Sequence, residues 1–348
     1  MKTITKNLIL MGITILVFFI IFEAVLHSFN LYDYSGPSRS VLSIYDPVTG
    51  WKLKPDFNIT EKNSEFEAYY QINSDGFRNN LKFNGDEKIL FIGDSFTFGH
   101  GVGEEERYSS IIGKYGNYNI RNLGTPGYGT DQELLILKEE IDLFGPDIVI
   151  VGYLVENIAR NIERYPRLGN INTGLDYERP LFIVENNKLV LSNTPTIKPE
   201  ELDDIIEIKT DAKEKIKEYC FSCVFFYRGF RSFSPKESVY DSYQNYYLEG
   251  SYDWKLTKLI FEEIKREVKN RGGRLIIVVI PLQEDVKSYD NTEFEYQKRF
   301  LELENFEIID LTKAFSEEEE EMYYQYDSHW NKEGHLFGAN LILDYLKS

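Results

Sequence analysis

Basic charge is scarce in this chain: 39 lysines and arginines stand against 57 aspartates and glutamates in 348 residues, a formal net charge of −18 at pH 7. A protein that grips nucleic acid needs clustered cations to displace phosphate counterions, and a field of this sign repels a polyanion, which excludes a nucleic-acid partner. Cysteine is nearly absent. Cys220 and Cys223 are too few for a disulfide scaffold or a four-ligand zinc site. They have redox-pair spacing, but they fall in an aromatic-rich helical pattern rather than at the start of a βαβ helix, which reads as buried thiols or an incidental disulfide. No Walker lysine pattern occurs. Gly99-His100-Gly101-Val102-Gly103 lacks the G-x-G-x-x-G spacing and does not follow a strand directly. The sequence thus implies no cofactor and no metal, and it carries no internal repeat.

What the chain has is apolar surface. At 42% hydrophobic and 15% aromatic it can bury a large core, and its length suits one large α/β domain with appendages or two ordinary ones. From Leu8 to Phe22 no charge occurs, and Ala24 to Leu26 extend the run past Glu23 to the length of a transmembrane helix. Lys2 and Lys6 precede it, so the positive-inside bias keeps the N-terminus cytoplasmic and sends the rest across the membrane. A cleaved signal peptide is the rival, although no A-x-A-like site follows. The chain divides into a cytoplasmic tail (1–7), a membrane helix (8–27), a lead-in packed on the main domain (28–85) and the main domain (86–348), with an insertion at about 165–251.

In the lead-in, turn signals surround a strand-like run from Glu67 to Ile72. Beyond it, Lys88–Ile92, Asn119–Ile120, Ile148–Val151, Leu275–Ile280 and Glu307–Ile309 are short strands separated by helical patterns such as Asp131–Phe144, Tyr252–Asn270 and Lys332–Leu346. Near-continuous Val/Ile/Leu strands alternating with helices predict an α/β fold, a three-layer doubly wound sandwich whose parallel sheet has about five strands. Its site lies outside the carboxyl ends of those strands. In the insertion, Pro180–Val184, Asn186-Asn187 and Leu189–Leu191 read as a β-hairpin, followed by a polar helix from about Asp203 and an aromatic stretch around Phe225 and Tyr227. The acidic run Glu317–Glu321 reads as solvated.

Gly93-Asp94-Ser95 closes the first of these strands and opens a helix, which exposes a serine hydroxyl beside free backbone N–H groups. A capping role for Ser95 is the plainer alternative. A serine hydroxyl is inert without a base, and the base needs an acid to hold its tautomer. Of four histidines, His27 lies at the membrane boundary, His100 is tied to the loop of Ser95, and His335 sits on the last helix as a structural residue. His329 remains, on a loop before the last helix, with Asp327 two residues away.

These blocks resemble the SGNH, or GDSL, hydrolase superfamily. Phe91–Gly99 is similar to its first block, Asn122–Thr130 to its second and Asp327-Ser328-His329-Trp330-Asn331 to its last, in the right order across Lys88 to Ser348. The Asp-x-His-Trp form is similar to the membrane-anchored branch of alginate-acetylation proteins and related polysaccharide O-acetyltransferases. The resemblance implies Ser95 as nucleophile, His329 as general base, Asp327 as its orienting acid, and backbone N–H groups of Ser95 and Gly127 in an oxyanion hole. The third block departs from the pattern. Where the family has Gly-Asn-Asp, a gapless alignment puts Val155-Glu156-Asn157, and an ionised Glu156 would repel an oxyanion. Asn157 supplies the donor if the loop is shifted by one residue; Asn161 is a second candidate.

The resulting expectation is a membrane-tethered serine esterase or O-acyltransferase that takes an acyl ester or an acylated cell-surface glycan as substrate. The alternative from a different class is an inactive SGNH-like protein that binds glycan or partner proteins as a scaffold.

Overall fold

Residues with alternating side-chain directions along a strand feed two opposite faces, and here both faces are apolar, which requires a helical layer on each. The computed structural model of the chain describes residues 2–28, 39–166, 177–205, 243–289 and 293–348. A long helix, Lys2–Ser28, comes first. Its Thr5–Val25 stretch is long and apolar enough to cross a membrane, and no part of it is covered by the described residues. The lead-in holds two antiparallel hairpins: β1 (Ser43–Asp46) with β2 (Gly50–Leu53), and β3 (Phe57–Lys62) with β4 (Glu67–Ile72). The run Glu67–Ile72 is therefore a strand, and its partner Phe57–Lys62 is one the sequence pattern did not single out.

The main sheet is built from β5 (Lys88–Gly93), β6 (Asn119–Asn122), β7 (Ile148–Leu154), β10 (Arg274–Ile280) and β11 (Glu307–Asp310). A further hairpin, β8 (Phe182–Glu185) with β9 (Lys188–Leu191), lies between β7 and β10 in sequence. All five main strands run parallel in the order β11-β10-β7-β5-β6. The predicted doubly wound α/β sandwich is thus the observed fold. Leu90, Ile92, Val149, Val151, Leu275 and Ile277 pack on the helices Thr130–Phe144 and Tyr252–Lys269 through Leu134, Ile141, Ile260 and Ile264. Ile89, Phe91, Ile150, Ile276 and Val278 face the opposite way, against Ile112 and Ile342 of the helices Tyr108–Gly116 and Lys332–Lys347.

The chain leaves β5 to one side for β6 and then returns to the other side for β7. This reversal is a topological switch point at the carboxyl end of β5, flanked by the loops that follow β5, β6 and β7, the position at which open α/β sheets bind ligands.

In the insertion, the predicted turn Asn186-Asn187 has φ of 50° and 60°, the left-handed values of a tight hairpin. The polar helix starts at Pro199, four residues earlier than expected, because Pro suits the first helical turn. Cys220, Cys223, Phe225 and Tyr227 lie outside the described residues. Glu317–Glu321 is exposed, as a solvated run should be.

The lead-in has its own small core of Leu53, Phe66, Ala68, Tyr70 and Ile72, which closes on Phe98 of the main domain. Arg78, 1% exposed, follows β4 and donates to the carbonyls of Phe98, Gly99 and Val102. A guanidinium with five fixed donors suits carbonyls that converge from one turn. Arg78→Met should therefore lower unfolding stability by roughly 3 kcal/mol, since it leaves buried carbonyls unpaired; the denaturant midpoint of the full chain in detergent checks this.

Candidate active site

Ser95 leaves β5 as the first residue of a single helical turn, Ser95–Phe98, capped by Asp94, whose carboxylate accepts from the Phe96 N–H at 2.9 Å. This turn lies very close to the sheet. A Cβ on Gly93 would sit 2.1 Å from Thr97 Oγ1, and one on Gly152, its register partner on β7, would sit 2.3 Å from the same oxygen. Only paired glycines leave room for Thr97, whose hydroxyl meets Tyr108 Oη at 2.9 Å. The turn that carries Ser95 is thereby seated on the sheet.

From the opposite end of the chain, Tyr323 and Trp330 form a bridge that closes a six-residue loop, with Tyr324 N–H donating to the His329 carbonyl at 2.9 Å. Ser328, at the middle of Asp327-Ser328-His329, has φ of 67°. That left-handed residue turns the chain back so that Asp327 reaches the ring of His329. Trp330 is wholly buried, stacked on Phe315 and edge-on to Phe96, the neighbour of Ser95.

The predicted residues meet. Ser95 Oγ lies 2.7 Å from His329 Nε2, and His329 Nδ1 lies 2.5 Å from Asp327 Oδ1. Burial by itself would raise the Asp327 carboxyl, but hydrogen bonds from His100 and His329 outweigh it and hold the group far below the usual carboxylate range. Against an ionised Asp327, Nδ1 of His329 must carry the proton and donate, which leaves Nε2 to accept from the Ser95 hydroxyl. Contacts in this order can activate a serine hydroxyl, since an imidazole can take its proton and a carboxylate can fix the tautomer.

His100 departs from expectation. Its Nε2 lies 3.3 Å from Asp327 Oδ2 and its Nδ1 3.5 Å from Glu61 Oε2 on β3, so it belongs to the acid's surroundings and not only to the loop of Ser95. Nitrogen and oxygen atoms of His100, Asp327 and His329 thus lie within 4.8 Å of one another. Glu65, at the tip of the β3–β4 hairpin, accepts the backbone N–H of Asp327 at 2.9 Å. His335 is structural as predicted: Nδ1 accepts the Tyr108 N–H at 3.3 Å, and burial pushes the imidazole down to about 3.

On the other side of Ser95, Gly127 lies on the loop after β6 with φ of 83°, and its carbonyl accepts from Arg179 at 2.8 Å. Asn157 opens the short helix Asn157–Arg160 after β7. It is fully buried, and neither atom of its amide has a hydrogen-bond partner among the described residues. One turn on, Arg160 donates to Asp94 Oδ2 at 2.9 Å and to the Tyr128 carbonyl at 3.1 Å, which ties this helix to the loops of both Ser95 and Gly127. Glu156 is partly exposed. Asn161 is fully engaged, accepting from Asp131 N–H and donating to Thr257, so it holds the helix in place.

Sequence reasoning missed Glu61, Glu65, Arg78, Arg160 and Arg179, all of which act on the site from remote segments. Behind the loops, burial raises Asp131 to about 6 and Glu133 well above its ordinary value.

No family model matches the sequence, and a comparison with curated proteins finds no relative. Among solved structures, the chain is similar to a member of the lipolytic protein G-D-S-L family from Veillonella parvula DSM 2008, at 12% identity and a TM-score of 0.40, covering 75% of this chain and 98% of that one. It is also similar to a catalytic mutant of an acetylxylan esterase from Geobacillus stearothermophilus, at 15% identity and a TM-score of 0.37, covering 77% and 97%. A GDSL-like lipase from Bacteroides thetaiotaomicron VPI-5482 shows 11% identity and a TM-score of 0.37, covering 75% and 88%.

The left-handed Ser328 gives a test of the loop. Ser328→Val should cost about 1–2 kcal/mol of stability, since a β-branched residue is strained there, and Ser328→Gly should cost none. Denaturant midpoints of the two variants measure this.

Proposed function

We propose that this protein is a serine-dependent acyl-ester hydrolase or O-acyltransferase of SGNH type, with Ser95 as nucleophile, His329 as general base and Asp327 as orienting acid. The observation that carries the proposal is the continuous contact from Asp327 through His329 to Ser95, at 2.5 and 2.7 Å. Ser95 Oγ attacks the ester carbonyl while its proton passes to His329 Nε2. The tetrahedral intermediate collapses as His329 returns that proton to the leaving oxygen, and an acyl-Ser95 ester remains. Water or a sugar hydroxyl then attacks, with its proton taken by His329, and Ser95 is restored. Water makes the enzyme an esterase; a sugar makes it a transferase.

The oxyanion formed twice in this sequence needs donors placed in advance. The backbone N–H groups of Ser95 and Gly127 and the side chain of Asn157 are assigned that role. For Asn157 the support is its burial with an unpartnered amide on a helix that Arg160 ties to both other loops. The same observation speaks against the inactive-scaffold alternative, which a carboxylate in that position would favour.

The N-terminal apolar helix, preceded by Lys2 and Lys6, supports a single-pass anchor with the catalytic domain outside the cytoplasm. A tethered domain there suits an acylated envelope glycan as substrate, with acetyl as the group transferred. A cleaved signal sequence passes the same length and composition test. Retention of the full-length protein in washed membranes at its uncleaved mass separates the two.

Ser95→Ala should lower ester hydrolysis by several orders of magnitude without loss of folding. A fluorophosphonate probe should label Ser95 in the wild type and not in His329→Ala; mass spectrometry reads both, and an unlabelled wild type refutes the assignment. On pH, only neutral His329 accepts the Ser95 proton, so kcat/KM should climb along one limb as pH rises through the imidazole transition. Asp327, ionised throughout, should add no second limb above about pH 4.

Asn157→Ala should lower kcat roughly a hundredfold with little change in KM, because an oxyanion donor acts chiefly in the transition state. Glu156→Gln should leave both constants near wild type; steady-state kinetics on a short acyl ester decide.

A further inference from the structure

A carboxylate held by one hydrogen bond is poorly fixed. The terminal torsion of aspartate is broad and nearly two-fold, so a single contact from His329 to Oδ1 does not define the plane of the Asp327 carboxylate. The structure supplies a second contact. His100 Nε2 lies 3.3 Å from Oδ2, the oxygen that His329 does not use. Because Asp327 is ionised, His100 must donate there.

His100 is held as firmly as the group it meets. It is 5% exposed, with the edge of its ring against Phe66 at 5.3 Å and the ring of His329 at 4.5 Å. Its Nδ1 faces Glu61 on β3 at 3.5 Å. The backbone on either side is anchored from the lead-in: Gly101 N–H donates to Tyr70 Oη at 2.8 Å, and the Gly99 and Val102 carbonyls accept from Arg78. A helix cap or a packing role would need neither the Glu61 contact nor the approach to Oδ2.

We propose that His100, on a loop anchored by Tyr70 and Arg78 of the lead-in, is a positioning residue that pins the second oxygen of Asp327 and so fixes the carboxylate plane against which His329 is oriented. This rests on the serine-hydrolase reading of Ser95, His329 and Asp327. It makes the acid of the triad a group clamped from two sides, by His329 and by a His100 loop that the lead-in anchors.

The test uses three variants of the full-length protein in detergent micelles. Glutamine places its amide near the Nε2 position and keeps a donor toward Asp327, whereas asparagine reaches only the Nδ1 position, toward Glu61. His100→Ala and His100→Asn should lower kcat for p-nitrophenyl acetate by about ten- to hundredfold, the rate equivalent of one hydrogen bond to a charged group, with KM unchanged. His100→Gln should recover activity to within about threefold of wild type, with a denaturant midpoint matching that of His100→Asn. Equal rates for the Asn and Gln variants, a wild-type rate for His100→Ala, or a loss of folding common to all three would overturn the proposal. Fluorophosphonate labelling of Ser95 separates this failure from the broader one. A labelled wild type with an unimpaired His100→Ala defeats only the role of His100, while an unlabelled wild type defeats the serine-hydrolase reading and the role of His100 with it.

Discussion

The Asp327 carboxylate must stay charged in a largely buried position, and much of the site is arranged around that requirement. Desolvation opposes the charge, and hydrogen bonds from two histidines outweigh it. His329 meets one oxygen and His100 the other, while Glu65 fixes the backbone beneath. These partners come from the last loop, the loop after β5 and the lead-in hairpin, so one ionised group draws together segments more than two hundred residues apart. The seat of Ser95 depends on the same kind of closeness in apolar form: Gly93 and Gly152, side by side on β5 and β7, leave room for Thr97 to lie on the sheet.

The sheet was legible because its signal is local. Short Val/Ile/Leu runs bounded by turns mark buried parallel strands wherever the chain is read, and both faces of β5, β7 and β10 are occupied by alternate residues as that pattern requires. Ser95, Asp327 and His329 were legible for a related reason, since each stands in a short block next to a strand end or a helix start. Asn157 was harder, because its neighbour Glu156 occupies the aligned position and only burial separates the two side chains. The contacts of Glu61, Glu65 and Arg78 were not legible. Each is an ordinary charged residue in a segment with turn-rich composition, and its role arises from tertiary approach, which no periodicity records. His100 shows the same limit from another side: sequence proximity to Ser95 hid its spatial proximity to Asp327.

Charge balance in the interior follows a pattern of its own. Asp94, Asp131 and Glu133 are all buried behind the loops of the site, in a protein already rich in acid. Arg160 and Arg179 enter this region from the helix after β7 and from the insertion. They neutralise part of the acidic field and hold the Tyr128 and Gly127 carbonyls. Burial raises the carboxyls of Asp131 and Glu133, and for Glu133 the nearby Asp94 and Asp131 add to the effect, while Arg160 and Arg179 oppose it. The insertion thereby contributes to the electrostatics of the site through Arg179.

The lead-in both holds the backbone of Asp327 through Glu65 and follows the N-terminal helix in sequence. Between the end of that helix at Ser28 and the start of the described lead-in at Arg39 lie residues 29–38, and the covalent reach from one to the other is at most about 40 Å. With the helix in a bilayer and Ser95 the nucleophile, both as proposed, that serine would be confined to a bounded height above the lipid surface and would meet membrane-attached acyl groups at an effective concentration set by the tether. A substrate free in the surrounding medium gains nothing from such confinement, whereas one held at the same surface meets the enzyme in two dimensions instead of three.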